Sequence, residues 1–375
     1  MFRVFYHGNK RSNSLKKCLL WSFLVIPCCV YADDVQEWQQ IIRQTPYSIS
    51  LGMTGNLKTI RSWVLFNRGY CENENRHILF DSQGRFLSWQ NDAQNSEETQ
   101  QSLNDVRQRL FERGDVELWL PGLEGTMGYP FAFSCWQPHV NVSGSLDVLF
   151  GRAEESKLWG TWDGIVAGTQ QKPVSLYDVV KLVWQQRQQD LREPITDFSF
   201  SLFLAQLLIE SGGAKEARSQ DDAVGILQLT PQALSDCGID EKFYKHRMAQ
   251  VDCAVRLYVV NRRNLNDPFN QRFSHLPEQK RERLFGLMLM QSYHSGIGNL
   301  SRLLEDGIEG KAAQYFAKYH EYYSADDIMT GLLYHNLGRE PWGWSSLYYL
   351  IDIELVEAQV CQDALTSPCD SALSP

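Results

Sequence analysis

The chain has 375 residues, a length that favours two domains over one. Apolar residues make up 43% and aromatic residues 12%, which is globular composition with material for a packed core and excludes a disordered or fibrous chain. With 36 basic and 45 acidic residues the formal net charge is −9, which argues against nucleic acid as a partner, because phosphate binding needs a basic face.

Residues 1–32 differ in kind. Arg3, Lys10, Arg11, Lys16 and Lys17 carry positive charge with no acid among them, an apolar run from Cys18 to Val30 follows, and Val30-Tyr31-Ala32 precedes Asp33. This order reads as a secretory signal cleaved near Ala32, and the expected location is the periplasm. A membrane anchor fits less well, since Pro27 interrupts the short uncharged run and a spanning helix needs about 20 apolar residues. Removing the segment takes away five basic residues and no acids, so the net charge moves from −9 to −14. Any anionic polymer must then be held by local contacts.

Six cysteines lie beyond the signal, at positions 71, 135, 237, 253, 361 and 369. An even count in an exported chain points to disulfides, with free buried thiols as the alternative. Cys237 and Cys253 stand 16 positions apart in one helical region and are the first expected pair. No CxxC and no Cys/His metal spacing occurs, so neither metal nor cofactor is expected.

In chain order, residues 33–165 read as mixed but strand-rich. Ser62–Phe66, His77–Phe80 and Phe86–Trp89 are short apolar runs, and Asp81-Ser82-Gln83-Gly84 looks like a hairpin turn between the last two. Glu97–Glu112 has helical spacing through Leu103, Val106 and Leu110. Val116–Leu120, Phe131–Trp136 and Val140–Phe150 read as further strands. Trp63, Trp89, Trp119, Trp136, Trp159 and Trp162 are better explained as core than as sugar platforms. A polar stretch at 166–174 reads as a linker. Ser175 and Asp178 then form a capping-box pattern, and Glu193-Pro194 closes that helix. Asp197–Ser211 is a strongly apolar helix stopped by Gly212-Gly213. Asp252–Arg263, Pro277–Tyr293, Gly310–Tyr323 and Trp344–Val360 also read as helices, with a mixed stretch at 326–342. The expected fold is α+β: a mainly α C-terminal domain at 175–360, a β-rich N-terminal accessory domain at 33–165, and a tail at 361–375.

Glu210 carries the chemistry. It ends an apolar helix beside Leu207, Leu208 and Ile209. Apolar surroundings and the negative end of the helix dipole both disfavour a carboxylate and raise its pKa. An acid kept protonated near neutral pH suits protonation of a glycosidic oxygen. Glu210-Ser211-Gly212 is followed 15 residues later by Gly225-Ile226-Leu227-Gln228-Leu229, and then by Gln291-Ser292-Tyr293-His294-Ser295-Gly296-Ile297-Gly298-Asn299.

These three ordered blocks resemble the soluble lytic transglycosylase family, relatives of goose-type lysozyme, over roughly residues 175–360. The resemblance implies a lysozyme-like catalytic domain acting on peptidoglycan glycan strands. It implies Glu210 as the sole catalytic acid, with Ser211, Leu227 and Gln228 contacting sugar. Tyr293 matches the tyrosine that supports the glutamate, and Tyr348 is the candidate for a later family tyrosine, with Tyr349 close behind. His294 stands where the family has asparagine, Leu227 where it has methionine, and Ser295 where it has alanine. A glycosidase ordinarily uses two carboxylates. Asp221 and Asp222, acids in the polar loop before Gly225, read as a solvated turn. In the family the muramic acid's acetamido group supplies the missing function, and a 1,6-anhydro end forms. A goose-type hydrolytic muramidase and an inactive glycan-binding scaffold are the alternatives. The N-terminal domain is a place for envelope protein partners.

Overall fold

A computed structural model describes residues 52–67, 75–80, 86–115, 131–134, 141–152, 156–190, 200–219, 222–336, 339 and 341–363. The signal segment, the expected strand at 116–120, the helix end at Glu193-Pro194, Asp221, and Cys71, Cys135 and Cys369 lie outside these residues, as does most of the tail. The described chain is mostly helical, with a three-stranded and a two-stranded sheet.

Helix α1 (Gly52–Phe66) comes first. Strands β1 (Arg76–Phe80), β2 (Phe86–Asn91) and β3 (Phe131–Ser134) form an antiparallel sheet in the order β2-β1-β3, with Ile78 opposite both Trp89 and Phe133. The two expected strands of the hairpin pair with each other, while the turn expected at 81–84 lies outside the described residues. Helix α2 (Ser96–Glu112) is capped by Asn95, whose side chain accepts from Glu98 N at 2.9 Å. Side chains alternate across β1. Leu79 joins Leu103 and Leu110 of α2, while Ile78 and Phe80 turn the other way into the main core, where Phe80 meets Trp63.

Three expectations for this half change. Ser62–Phe66 is not a strand but the end of α1. Nor is Val140–Phe150 a strand: helix α3 (Val142–Leu149) is capped by Asn141 and buries Val142, Leu146 and Leu149 on one face. In the first run Trp63, Val64 and Leu65 are all buried, a wide face that hides the 3.6-residue period; in the second, apolar residues at 140, 142, 146, 148 and 150 imitate a strand's alternation, while the buried stripe is the helical Val142, Ser145, Leu146 and Leu149. Among the described residues of 33–165, helix therefore exceeds strand, against the β-rich expectation. The expected linker is also structured. Strands β4 (Gly160–Trp162) and β5 (Ile165–Ala167) pair, and Thr169 and Lys172 exchange backbone hydrogen bonds at 3.0 Å.

The helical body follows. Helix α4 (Leu176–Asp190) begins with the expected capping box: Asp178 N donates to Ser175 Oγ at 3.1 Å and Ser175 N to Asp178 Oδ2 at 3.2 Å. Helix α5 (Phe200–Ser211) is followed by Gly212 and Gly213, both at positive φ, and α6 (Pro231–Asp236) is short. Helix α7 (Arg247–Phe273) extends well past both expected ends. Helices α8 (Glu278–Ser295), α9 (Ile297–Arg302) and α10 (Lys311–Tyr319) come next. The mixed stretch resolves into helix α11 (Ala325–His335), capped by Ser324. Gly331 does not break it. A side chain there would meet the Phe316 ring at 2.3 Å, so glycine makes room for packing. Helix α12 (Trp344–Asp363) is last and packs on α5 and α1.

One apolar cluster runs through α1, α3 and the helical body alike. Packing thus continues across positions 166–174. The Cys237–Cys253 disulfide is present, with Cα atoms 5.6 Å apart, and Cys361 is also disulfide-bonded.

Candidate active site

Helix α5 is buried from Ser201 to Leu208, and its last turn turns Glu210 half-outward. Gln206, one turn earlier on the same face, is fully buried. A directed chain of hydrogen bonds runs from it. Tyr258 OH donates to Gln206 Oε1, Gln206 Nε2 donates to Tyr349 OH at 2.8 Å, and Tyr349 OH donates to Glu210 Oε1 at 2.7 Å. Among the described residues, Oε2 of Glu210 carries no hydrogen bond. Burial pushes Glu210 from its ordinary 4.5 up to about 7, and the Tyr349 hydrogen bond pulls the other way. Burial, reinforced by the charge of Glu210, raises Tyr258, Tyr293 and Tyr349 well above the ordinary tyrosine value, so all three stay neutral donors.

The second sequence block forms a tight turn against the end of α5. Ser211 Oγ donates to Ile226 O at 2.8 Å and accepts from Gly213 N at 3.1 Å, so this buried hydroxyl ties the helix end to the turn. Gln250 of α7 pins the turn from behind, accepting from Leu227 N at 3.0 Å and donating to Val224 O at 2.7 Å. Gly225 has φ 76°, and a Cβ there would stand 2.1 Å from Gln250 Nε2, so conformation and space both require glycine. Leu227 is buried. Gln228 also has positive φ, 47°; its Nε2 donates to Gly225 O at 2.8 Å, while Oε1 is buried with no partner among the described residues. Such an acceptor is open to a ligand donor.

The third block arrives on α8. Tyr293 lies near Glu210, but its hydroxyl donates to Leu227 O at 2.7 Å. It supports the turn, with its ring stacked on Tyr258, and is not a hydrogen-bond partner of the glutamate. That partner is Tyr349. The candidate Tyr348 is displaced from the site: it is buried in the core under the Arg61 guanidinium, 4.7 Å from its ring centroid. Adjacent helix positions differ by about 100°, so one of two neighbouring tyrosines faces Glu210 and the other faces away. His294 lies flat on the Tyr349 ring, with centroids 4.5 Å apart, and burial lowers its pKa to about 4.

The structure thus gathers Glu210, Ser211, Leu227, Gln228, Tyr293 and His294, replaces Tyr348 by Tyr349, and adds Gln206, Tyr258 and Gln250. Gln206 had one legible signal, being the only amide in an apolar helix and four residues before the acid. Asp222 is exposed and paired with Arg218, as a solvated turn would be. Among the described residues no group of three or more His, Cys, Asp or Glu could hold a metal ion. A separate cleft of about 550 Å³ is lined by Trp162, Arg187, Asp252 and Arg256. None of Glu210's partners lines it, and its charges pair with one another: Arg187 contacts Asp163, Asp190 and Asp252, and Arg256 contacts Asp252. No protein-family model matches this chain, and no curated protein matches its sequence.

Proposed function

We propose that this chain is a lytic transglycosylase that cleaves the glycan strands of peptidoglycan in the periplasm. The observation carrying the proposal is Glu210, a partly open carboxylic acid held at about 7 where the three motif blocks meet. In this reading Glu210 protonates the oxygen linking N-acetylmuramic acid to N-acetylglucosamine. The muramic acid's own acetamido carbonyl stabilises the charge that develops at the anomeric carbon. The resulting carboxylate, held by the Tyr349 hydroxyl, then takes the proton of the sugar's 6-hydroxyl as that oxygen attacks. The product is a 1,6-anhydro end, with no water consumed. One acid thus serves twice, and a pKa close to the working pH suits both roles. The unpaired Gln228 Oε1 is the acceptor for a substrate N–H or O–H. The exported location and any protein partner through residues 33–165 belong to the same proposal.

The test is mass spectrometry of fragments released from purified sacculi. Anhydro ends are expected from the wild-type chain, and Glu210→Gln should lose at least about 100-fold in rate with its fold intact. Reducing ends would make the chain a hydrolytic muramidase. Near wild-type cleavage by Glu210→Gln would remove Glu210 from the acid's role.

A further inference from the structure

Helix α1 lies more than a hundred residues before the motif blocks, yet it grips the helix that carries Tyr349. Arg61 is 1% exposed. Its Nε donates to Asp352 Oδ1 at 2.7 Å and its Nη2 to Asp352 Oδ2 at 2.5 Å, while its guanidinium lies over the Tyr348 ring. Positions 348 and 352 are one turn apart on one face of α12. Tyr349 stands on the adjoining face, with its hydroxyl on Glu210. A two-pronged ion pair fixes direction as well as distance. A buried one does not slide, because slipping would leave a charge unpaired away from water. Arg61 therefore fixes the rotation of α12 about its own axis. A small rotation there would carry the Tyr349 hydroxyl out of hydrogen-bond range, where the interaction falls off steeply.

We propose that Arg61 is a positioning residue for the Glu210 site: by clamping Asp352 and Tyr348 it sets the rotation of α12 and holds the Tyr349 hydroxyl on Glu210. Its consequence for glycan cleavage rests on the function proposed above, while the geometric claim stands without it. A hydroxyl that donates to a carboxylate stabilises the ionised form. Losing it moves the carboxyl titration upward, by about one unit for one charge-assisted hydrogen bond.

The experiment is a carboxyl ¹³C NMR titration of the full-length chain labelled at glutamate, with the Glu210 signal assigned by its loss in Glu210→Gln. Two variants break the clamp. Arg61→Lys keeps the charge but loses the planar fork. Arg61→Met combined with Asp352→Leu removes both charges, so that none is left buried alone. Lys58→Met is the control: it breaks the contact between Lys58 and Glu354, which also joins α1 to α12 but touches neither Asp352 nor Tyr348. The Glu210 midpoint is expected to rise by about one unit in both clamp variants and to stay in place in Lys58→Met. An unmoved midpoint in folded clamp variants overturns the proposal, as does an equal rise in Lys58→Met. If wild-type protein cuts no glycan, the proposed function fails, and the titration still decides the role of Arg61.

Discussion

At the scale of single residues, the site is a balance between burial and one hydrogen bond. Burial holds Glu210 protonated to about pH 7, and Tyr349 moderates it. Tyr349→Phe removes the donor while keeping the ring under His294. The Glu210 midpoint should rise and the alkaline fall of the pH–rate profile should move about one unit higher. The maximum should drop about tenfold, the equivalent of one hydrogen bond. A profile unchanged in position would mean that the bond has no electrostatic effect. A protonated His294 beside Glu210 would favour the ionised carboxylate and remove the acid. Its ring does lie beside the site, but burial holds it at about 4, so it is neutral throughout the range in which Glu210 titrates. The pH–rate profile of His294→Asn should therefore superimpose on wild type above about pH 6. Its effect belongs instead to stability. A histidine depressed from 6.5 to about 4 binds fewer protons folded than unfolded, so the wild type loses stability as pH falls from 6.5 toward 4. Melting curves across that range should show a shallower acid decline in His294→Asn, and parallel declines would count against it.

At the scale of elements, local pattern was a good guide wherever capping, glycine or turn residues marked an element's ends. The capping box at Ser175 and Asp178, the apolar helix stopped by Gly212, and the pairing of β1 with β2 were legible for that reason, although α5 is buried all round and β1 on both faces. It misled at α1, where a wide face is buried, at α3, where apolar residues happen to fall at alternate positions, and at α11, where a glycine faces an aromatic ring. The disulfide joins the C-cap of α6 to the first turns of α7, beside the Gln250 that pins the glycine turn next to Glu210. Closing a loop of that length contributes about 3 kcal/mol by restricting the unfolded chain. Replacing both Cys237 and Cys253 by alanine should lower stability by about that amount in denaturant titration, with Glu210's titration little changed. A change under about 1 kcal/mol would show that the native packing holds the turn without the bridge.

At the scale of the whole molecule, the boundary expected near position 173 does not divide the packing. Leu57, Ile60, Trp63 and Val64 of α1 and Val142, Leu146 and Leu149 of α3 share one cluster with the helical body. Each buried side chain of this kind contributes about 2 kcal/mol, so losing seven approaches the whole ~5–15 kcal/mol of an ordinary domain. Truncation to residues 175–363 would also strand Asp352 and leave Glu354 without Lys58. That fragment is expected to show no cooperative thermal transition by circular dichroism, while the full-length chain does. A sharp transition in the fragment would establish 175–363 as a self-sufficient unit.

The sequence by itself determined what is encoded over short distances. Glu210 at the end of an apolar helix, a glycine turn 15 residues on, the tyrosine of the third block, and two cysteines 16 apart are all readable from neighbours and spacing. Only the tertiary structure decided which of two adjacent tyrosines meets the acid, because the rotation of α12 is set by its packing partners and not by its own residues. For the same reason it alone revealed that Tyr293 braces the turn, that His294 stays neutral beneath its neighbours, and that Arg61 reaches across the chain to Asp352. Rotation, desolvation and long-range ion pairs depend on what is packed alongside, and a linear pattern carries no record of that.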